Sequence, residues 1–299
     1  MVPKPPRPVL NRRHPAAKGL ESAVLFWQWG QSPASAGGAG ASSTHGAELV
    51  SGMPLTWWSQ DGATSASAFT EMGALGQGLK QDSVRPAGIE LPGSAVVAPI
   101  ADKFAATKPW TIAVWCRMDV TGVAGGWAAA YLAGTAGDYD AKTSINAIRF
   151  DESGSKWGIQ RYDENQGGSS TLHQSGTMST ALAVHFVVAT YDGGTTSLYV
   201  DGAYVAGGSS ALSIGYVQDY FVVGNYWASV YRMPHRYNWF GHIYSASLWS
   251  RCLSSAAIAD LYADPWALYR PRYLQVRSNA TAQTFAPWLP AILHRRVAR

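Results

Sequence analysis

Short apolar runs separated by turn residues dominate the middle of this chain. In "WTIAVWCRM", residues 110–118, Ile112, Val114, Cys116 and Met118 fall on one face of an extended strand, while Ala113, Trp115 and Arg117 fall on the other. Similar runs recur at "GGWAAAYLAG", "INAIRF", "KWGIQRY", "LAVHFVVATY", "TSLYV", "AYVAG", "YFVVGNY" and "NWFGHIYSASLW", after an earlier one at "SAVLFWQW". Many short strands at such spacing predict an all-β sandwich or jelly roll. One helix interrupts the pattern at "LSSAAIADLY", where Ser254 or Ser255 can cap the first turn and Pro265 lies just past the end. No repeat of fixed period is present.

The stretch "YDGGTTSLYVDGAYVAGG", residues 191–208, places two Asp-Gly pairs among alternating apolar residues. Asp192 and Asp201 are either ligands for chemistry or turn formers. An Asp-Gly pair between alternating strands supplies the positive φ angles a tight hairpin demands, which is sufficient without a ligand. The Gly/Ala/Ser-rich "SPASAGGAGASSTHG" is too poor in apolar side chains to fold alone and is expected to be a surface excursion or ligand rim.

Composition fits this picture, with 31 Gly against 14% charged residues pointing to tight turns rather than long solvated helices. Cys116 and Cys252 lie far apart, without a metal-binding spacing, and are expected to be packed thiols. The first residues hold charges and prolines rather than a leader's apolar segment, and no run of about 18 apolar residues exists to cross a bilayer. A soluble start in the cytoplasm, without membrane contact, is therefore expected.

The net charge of +4 is unevenly distributed, because eleven of the 23 Lys and Arg residues lie in residues 1–18 and 270–299, which contain no acid. The remaining twelve face all 19 acids in the body of the chain. Three regions are expected: a basic, proline-rich arm at 1–18, a sandwich at 19–265 and a second basic arm at 266–299. Arms of this kind seek an acidic protein surface or nucleic acid, or serve only as solvated tails. Without a nucleic-acid motif, protein contact is favoured, with Arg7, Arg12, Arg13, Arg270, Arg272, Arg295 and Arg296 as charged anchors. Trp288, Leu289 and Ile292 add apolar anchors.

Four segments in order resemble the concanavalin A-like lectin/glucanase superfamily, in particular its laminin-G-like jelly-roll domains. They are "PWTIAVW", "HFVVATYDGG", "SLYVDGAYVAG" and "GHIYSASLWSRCLSSAAIADLY", and the resemblance spans roughly residues 20–262. It implies a concanavalin A-like jelly-roll β-sandwich with one short helix and extended terminal arms. The chain departs from the pattern where relatives carry an acidic pair, holding Tyr244 and Ser245 instead, and where they carry paired histidines, only His185 remains. No Ser, Cys or carboxylate is fixed beside His185 in sequence, so it reads as a sheet histidine rather than a base. Cys252 stands where the family has a small Ala.

Glucanases resembling this fold use a Glu-x-Asp-x-x-Glu strand, which is absent here, as are other catalytic and nucleotide-binding motifs. "GALGQGLK" is glycine-rich but lacks their spacing. An enzyme is not expected, nor a cofactor. Asp138 and Asp140 could hold Ca²⁺ if extended, or simply line a Gly-flanked loop. Asp151–Glu152 and Asp163–Glu164 read as solvated turns.

The segment "YWASVYRMPHRYNWF", residues 226–240, concentrates aromatic rings and cations: Tyr226, Trp227, Tyr231, Arg232, His235, Arg236, Tyr237 and Trp239. It is a loop folded back over the sandwich, a protein interface or a glycan platform. "HPAAKGL" and "DPWALYRPR" also resemble segments of bacteriophage structural proteins. The resemblance implies a virion protein, capsid decoration or tail-associated, contacting a major capsid or tail protein and its own copies through the arms. A carbohydrate-binding module for a surface glycan is the alternative, and a divergent glycoside hydrolase the third.

Overall fold

The computed structural model describes residues 9–25, 36–37, 42–47, 49–50, 54–59, 63–64, 70–73, 75–81, 87–91, 107–118, 129–136, 144–151, 156–163, 169–175, 183–210, 220–224, 239 and 241–269. In these the chain forms β1 (Leu20–Leu25), β2 (Ala36–Gly37), β3 (Ser42–Ala47), β4 (Pro54–Ser59), β5 (Ala63–Thr64), β6 (Thr70–Gly73), β7 (Gly76–Gln81), β8 (Ala87–Leu91) and β9 (Trp110–Met118). There follow β10 (Ala129–Ala136), β11 (Ser144–Asp151), β12 (Lys156–Asp163), β13 (Ser169–Gln174), β14 (Val184–Tyr191), β15 (Thr195–Val200), β16 (Ala203–Ser209), β17 (Tyr220–Val223), β18 (Gly241–Trp249) and helix α1 (Ser255–Ala263).

Two antiparallel eight-stranded sheets result. Sheet I runs β16-β15-β14-β9-β18-β7-β6, with β1 also paired to β18, and sheet II runs β13-β12-β11-β10-β17-β8-β4-β3. The two-layer jelly-roll sandwich expected from the strand pattern is therefore present. Part of "SPASAGGAGASSTHG", expected to be a surface excursion, is β3, an edge strand of sheet II paired to β4; the glycine-rich "GALGQGLK" supplies β7 of the β6–β7 hairpin. The polar "SSTLHQ" is β13, the opposite edge of sheet II.

Each face of sheet I carries a core. Ile112, Val114, Cys116 and Met118 of β9 join Val187, Ala189, Leu248, Ile148, Phe150 and Trp157 between the sheets, the face the alternation predicts. The opposite positions, Ala113, Trp115, Phe186, Val188 and Tyr244, are also buried, beneath Ile258 and Leu261 of α1 and the flanking chain segments. All nine residues of β18 are buried accordingly. Ser254 caps α1 as read from the sequence, its Oγ accepting from Ala257 N–H.

This outer core includes described residues that the charge pattern assigned to the arms. Residues from Asn11 to Lys18 are not a free arm: Pro15–Ala17 form a 3-10 turn with Ala16 buried, and Trp249 Nε1 donates to Ala16 O at 2.6 Å. Arg251 holds the same segment through Lys18 O and Pro15 O at 2.6 and 3.1 Å. At the other end Trp266, Ala267, Leu268 and Tyr269 are buried in this core, and Asn11 N–H donates to Leu268 O at 2.7 Å. Apolar side chains in "HPAAKGL" and "DPWALY" outweigh the charges that made these segments look like arms. Of the proposed anchors, Arg12 and Arg13 are exposed on this docked segment, Arg12 donating to Val50 O at 2.7 Å. Arg7, Arg270, Arg272, Trp288, Leu289, Ile292, Arg295 and Arg296 lie outside the described residues.

Candidate functional site

Both Asp-Gly pairs bend the chain. Asp192 Oδ1 accepts from Gly194 and Thr195 N–H at 2.9 and 2.7 Å, closing the β14–β15 turn around Gly193 at φ 109°. Asp201 and Gly202 both have positive φ, 53° and 81°, the pairing a two-residue hairpin requires. Asp201 does more than turn. Its Oδ1 accepts from Phe186 N–H at 2.9 Å, and its Oδ2 lies 2.8 Å from His185 Nδ1. A carboxylate therefore stands beside His185, sixteen residues away in sequence.

His185 faces inward from β14, edge-on to Trp157, and opposite Cys116 on β9. Burial pushes the Cys116 thiol well up, and the charge of Asp201 pushes the same way, so no thiolate is available for attack. The group is a buried structural constellation rather than a nucleophilic one. Cys252 is only half-buried, and its thiol is raised mainly by desolvation.

Of the aromatic segment 226–240 only Trp239 is described, and its N–H, donating to Gly224 O at 3.0 Å, ties the start of β18 to the end of β17. Trp239 itself is withdrawn from the glycan or interface candidates: it is 0% exposed and stacked on Trp157 at 5.7 Å, so its ring fills core volume. Tyr226, Trp227, Tyr231, Arg232, His235, Arg236 and Tyr237 lie outside the described residues, as do Asp138 and Asp140. Among the described residues no three His, Cys, Asp or Glu side chains are grouped to hold a metal ion.

The described polar constellation with the clearest binding geometry lies elsewhere, on the outward face of sheet II. Register aligns Arg149, Gly158 and Gln174 across β11, β12 and β13, with Ala147, Gln160 and Leu172 on the next rung. Arg149 Nη1 donates to Gln160 Oε1 at 3.0 Å, and Nη2 lies 3.5 Å from Asp151 Oδ2. Gln174 Nε2 donates to that same oxygen at 2.9 Å. Asp151 is thus no solvated turn acid: its side chain and that of Arg149 are only 16% and 15% exposed. Among the described residues, buried Arg149 Nε has no hydrogen-bond acceptor. Gly158 forms the floor, since a Cβ there would lie 3.3 to 3.4 Å from Leu172, Arg149 and Gln174 side chains.

Here a guanidinium, two amides and a carboxylate are locked against one another on the outward face of β11–β13. Such preset donors and acceptors suit a hydroxyl-rich ligand, since little side-chain entropy remains to be lost. Sequence reasoning missed the set because its members are spread over 26 residues. The available signal was partial: Gly158 and Gln160 share a phase of "KWGIQRY" opposite Trp157 and Ile159, whereas Arg149 shares its phase of "INAIRF" with Ile145 and Ala147.

Comparison with known proteins places this geometry. The family model described as the concanavalin A-like lectin/glucanases superfamily matches residues 92–259. The chain belongs to the concanavalin A-like lectin/glucanase superfamily. Among solved structures, Trypanosoma rangeli sialidase in complex with sialic acid aligns at 15% identity and a TM-score of 0.53, covering 82% of this chain and 33% of its own. This superfamily member thus spans about a third of that sialidase. Domain 4 of AbnA, a GH43 extracellular arabinanase from Geobacillus stearothermophilus, aligns at 15% identity and TM-score 0.49 over 81% of this chain and 98% of its own. The Ruminococcus gnavus IT-sialidase CBM40 bound to α2,3 sialyllactose aligns at 13% identity and TM-score 0.45, over 59% and 92%. No curated protein matches the sequence.

Proposed function

We propose that this lectin/glucanase-superfamily domain is a carbohydrate-binding module that holds its glycan, without cleaving it, on the outward face of sheet II. The observation that carries the reading is the locked network of Arg149, Asp151, Gln160 and Gln174 around the Gly158 floor. Hydroxyl pairs on a pyranose ring can accept from the guanidinium and amides and donate to the carboxylate, while Leu172, 37% exposed, meets the ring's C–H face. Superfamily membership points the same way, since lectins and glucanases both engage carbohydrate.

Binding without hydrolysis fits the chemistry of the face. Glycoside hydrolysis generally needs two carboxyl groups flanking the bond, whereas Asp151 already accepts from Gln174 and pairs with Arg149. The virion role expected from the sequence has no support in the fold or in these relatives. Titration calorimetry against a panel of neutral and acidic oligosaccharides tests the reading: Arg149→Ala should weaken binding at least tenfold with reducing-end release at background. Unchanged affinity in Arg149→Ala, or turnover of any bound glycan, would overturn it.

A further inference from the structure

We infer that a second glycan-contacting surface lies on the opposite side of the sandwich, where Tyr204 and Tyr262 form an aromatic platform beside the Asp201–Gly202 turn. This rests on the carbohydrate reading above but uses separate residues on the outward side of sheet I. Tyr204 is 59% exposed and Tyr262 is 40% exposed, in a protein whose other aromatic side chains on this sheet face are largely withdrawn from solvent.

Both rings are held in place. Tyr262 stacks on Trp115 at 5.9 Å with only 14° between planes, and Trp115 in turn stacks on Phe186 at 4.8 Å. The Tyr262 ring also rests against Gly202, where a Cβ would come within 3.1 Å of Cδ1. Tyr204 meets Tyr199 edge-on at 5.8 Å, and its hydroxyl reaches along β16 to a point 3.1 Å from where a Gly207 Cβ would stand. That Cβ would also collide with Thr196 O, so glycine at 207 leaves the phenol ring room to lie along the strand. The platform is therefore preorganised, which lowers the ordering cost of a ligand.

The makeup of the patch selects the occupant. A stable protein interface needs roughly 800 Å² per partner with an apolar centre. Among the described residues the only other exposed large hydrophobic side chains are Val9 and Leu172, and Leu172 belongs to the opposite face of the sandwich. Two phenol rings are too little for that interface, yet they match one or two sugar rings, whose C–H faces lie on aromatic π-faces while hydroxyls remain hydrated. The ligand class is a neutral oligosaccharide with flat pyranose faces. Because the two surfaces look away from each other, one molecule can bridge two polysaccharide chains.

The full-length chain, with ring-labelled tyrosine, is titrated by NMR with cellohexaose, laminarihexaose and maltohexaose. The expected result is ring-proton shifts at Tyr204 and Tyr262 for at least one of the three. Affinity at those signals should fall at least tenfold in Tyr204→Ala and Tyr262→Ala and stay within twofold in Tyr204→Phe and Tyr262→Phe. Shifts that persist in Arg149→Ala assign them to this platform. Binding abolished by Arg149→Ala, with both tyrosines silent, overturns the second surface and leaves the sheet II reading standing. Binding of none of the three overturns the second surface, and the wider panel then decides the first independently.

Discussion

The outward faces of the two sheets are built from the same alternation and meet opposite fates. On sheet I, outward positions of the central strands are Ala113, Trp115, Phe186 and Val188, and α1 with the two chain-end segments is folded over them. On sheet II, the outward positions of β11–β13 are Arg149, Asp151, Gln160 and Gln174, cross-linked to each other instead. The difference teaches that a strand's second face is assigned by the chemistry of its off-phase residues. Apolar ones recruit a cover, whereas polar ones cross-link to each other and form a rigid surface.

The strongest way to break the comparison is Trp115→Ala, which removes the stacks on Phe186 and Tyr262 and leaves a void under α1. A loss of about 3–5 kcal/mol in urea-unfolding free energy is expected. Arg149→Ala, at an outward position of the other sheet, should cost less, about 1–2 kcal/mol in the same assay, because Asp151 keeps its bond from Gln174, while lowering glycan affinity at least tenfold. If both variants lost comparable stability, the two faces would not differ in kind. Gly158→Ala sharpens the point, because its Cβ enters the floor at contact distance: a severalfold loss of affinity by calorimetry is expected with little change in the unfolding midpoint.

Acid should act on sheet I's cover rather than on its core. His14 Nδ1 accepts from Ala16 N–H, and burial lowers its pKa despite the opposing charges of Asp264 and Asp260. A histidine whose folded pKa lies below its unfolded value contributes stability that is present above about pH 6.5 and is lost as pH falls through the folded pKa. Protection factors of the amides in residues 11–18, which take out the intrinsic pH dependence of exchange, should therefore fall between pH 7 and 5, and His14→Asn, which keeps an acceptor at the cap, should flatten that dependence. Smallest of all, burial makes both thiols slow toward iodoacetamide, with half-buried Cys252 reacting ahead of Cys116.

Much of this architecture was legible. The phase of Ile112, Val114, Cys116 and Met118 marked the inter-sheet face, and Asp-Gly marked the hairpin, because both signals are local. The second core was legible only in hindsight, from a β9 apolar on both phases and a β18 buried throughout despite Ser245, Ser247 and His242. What lay beyond reach was pairing at a distance: Asp201 with His185, Trp239 with Trp157, and the rung of Arg149, Gly158 and Gln174, which depend on register between strands. The charges of Arg12 and Arg13 misled because Ala16 and Leu20 settle the location of residues 11–18.

The hydrogen bond between Asn11 and Leu268 brings the first and last described segments of the sandwich to a single point. A unit with adjoining doorways can be spliced into a surface loop of an unrelated host, or have its old ends joined and new ones cut, without prying its layers apart.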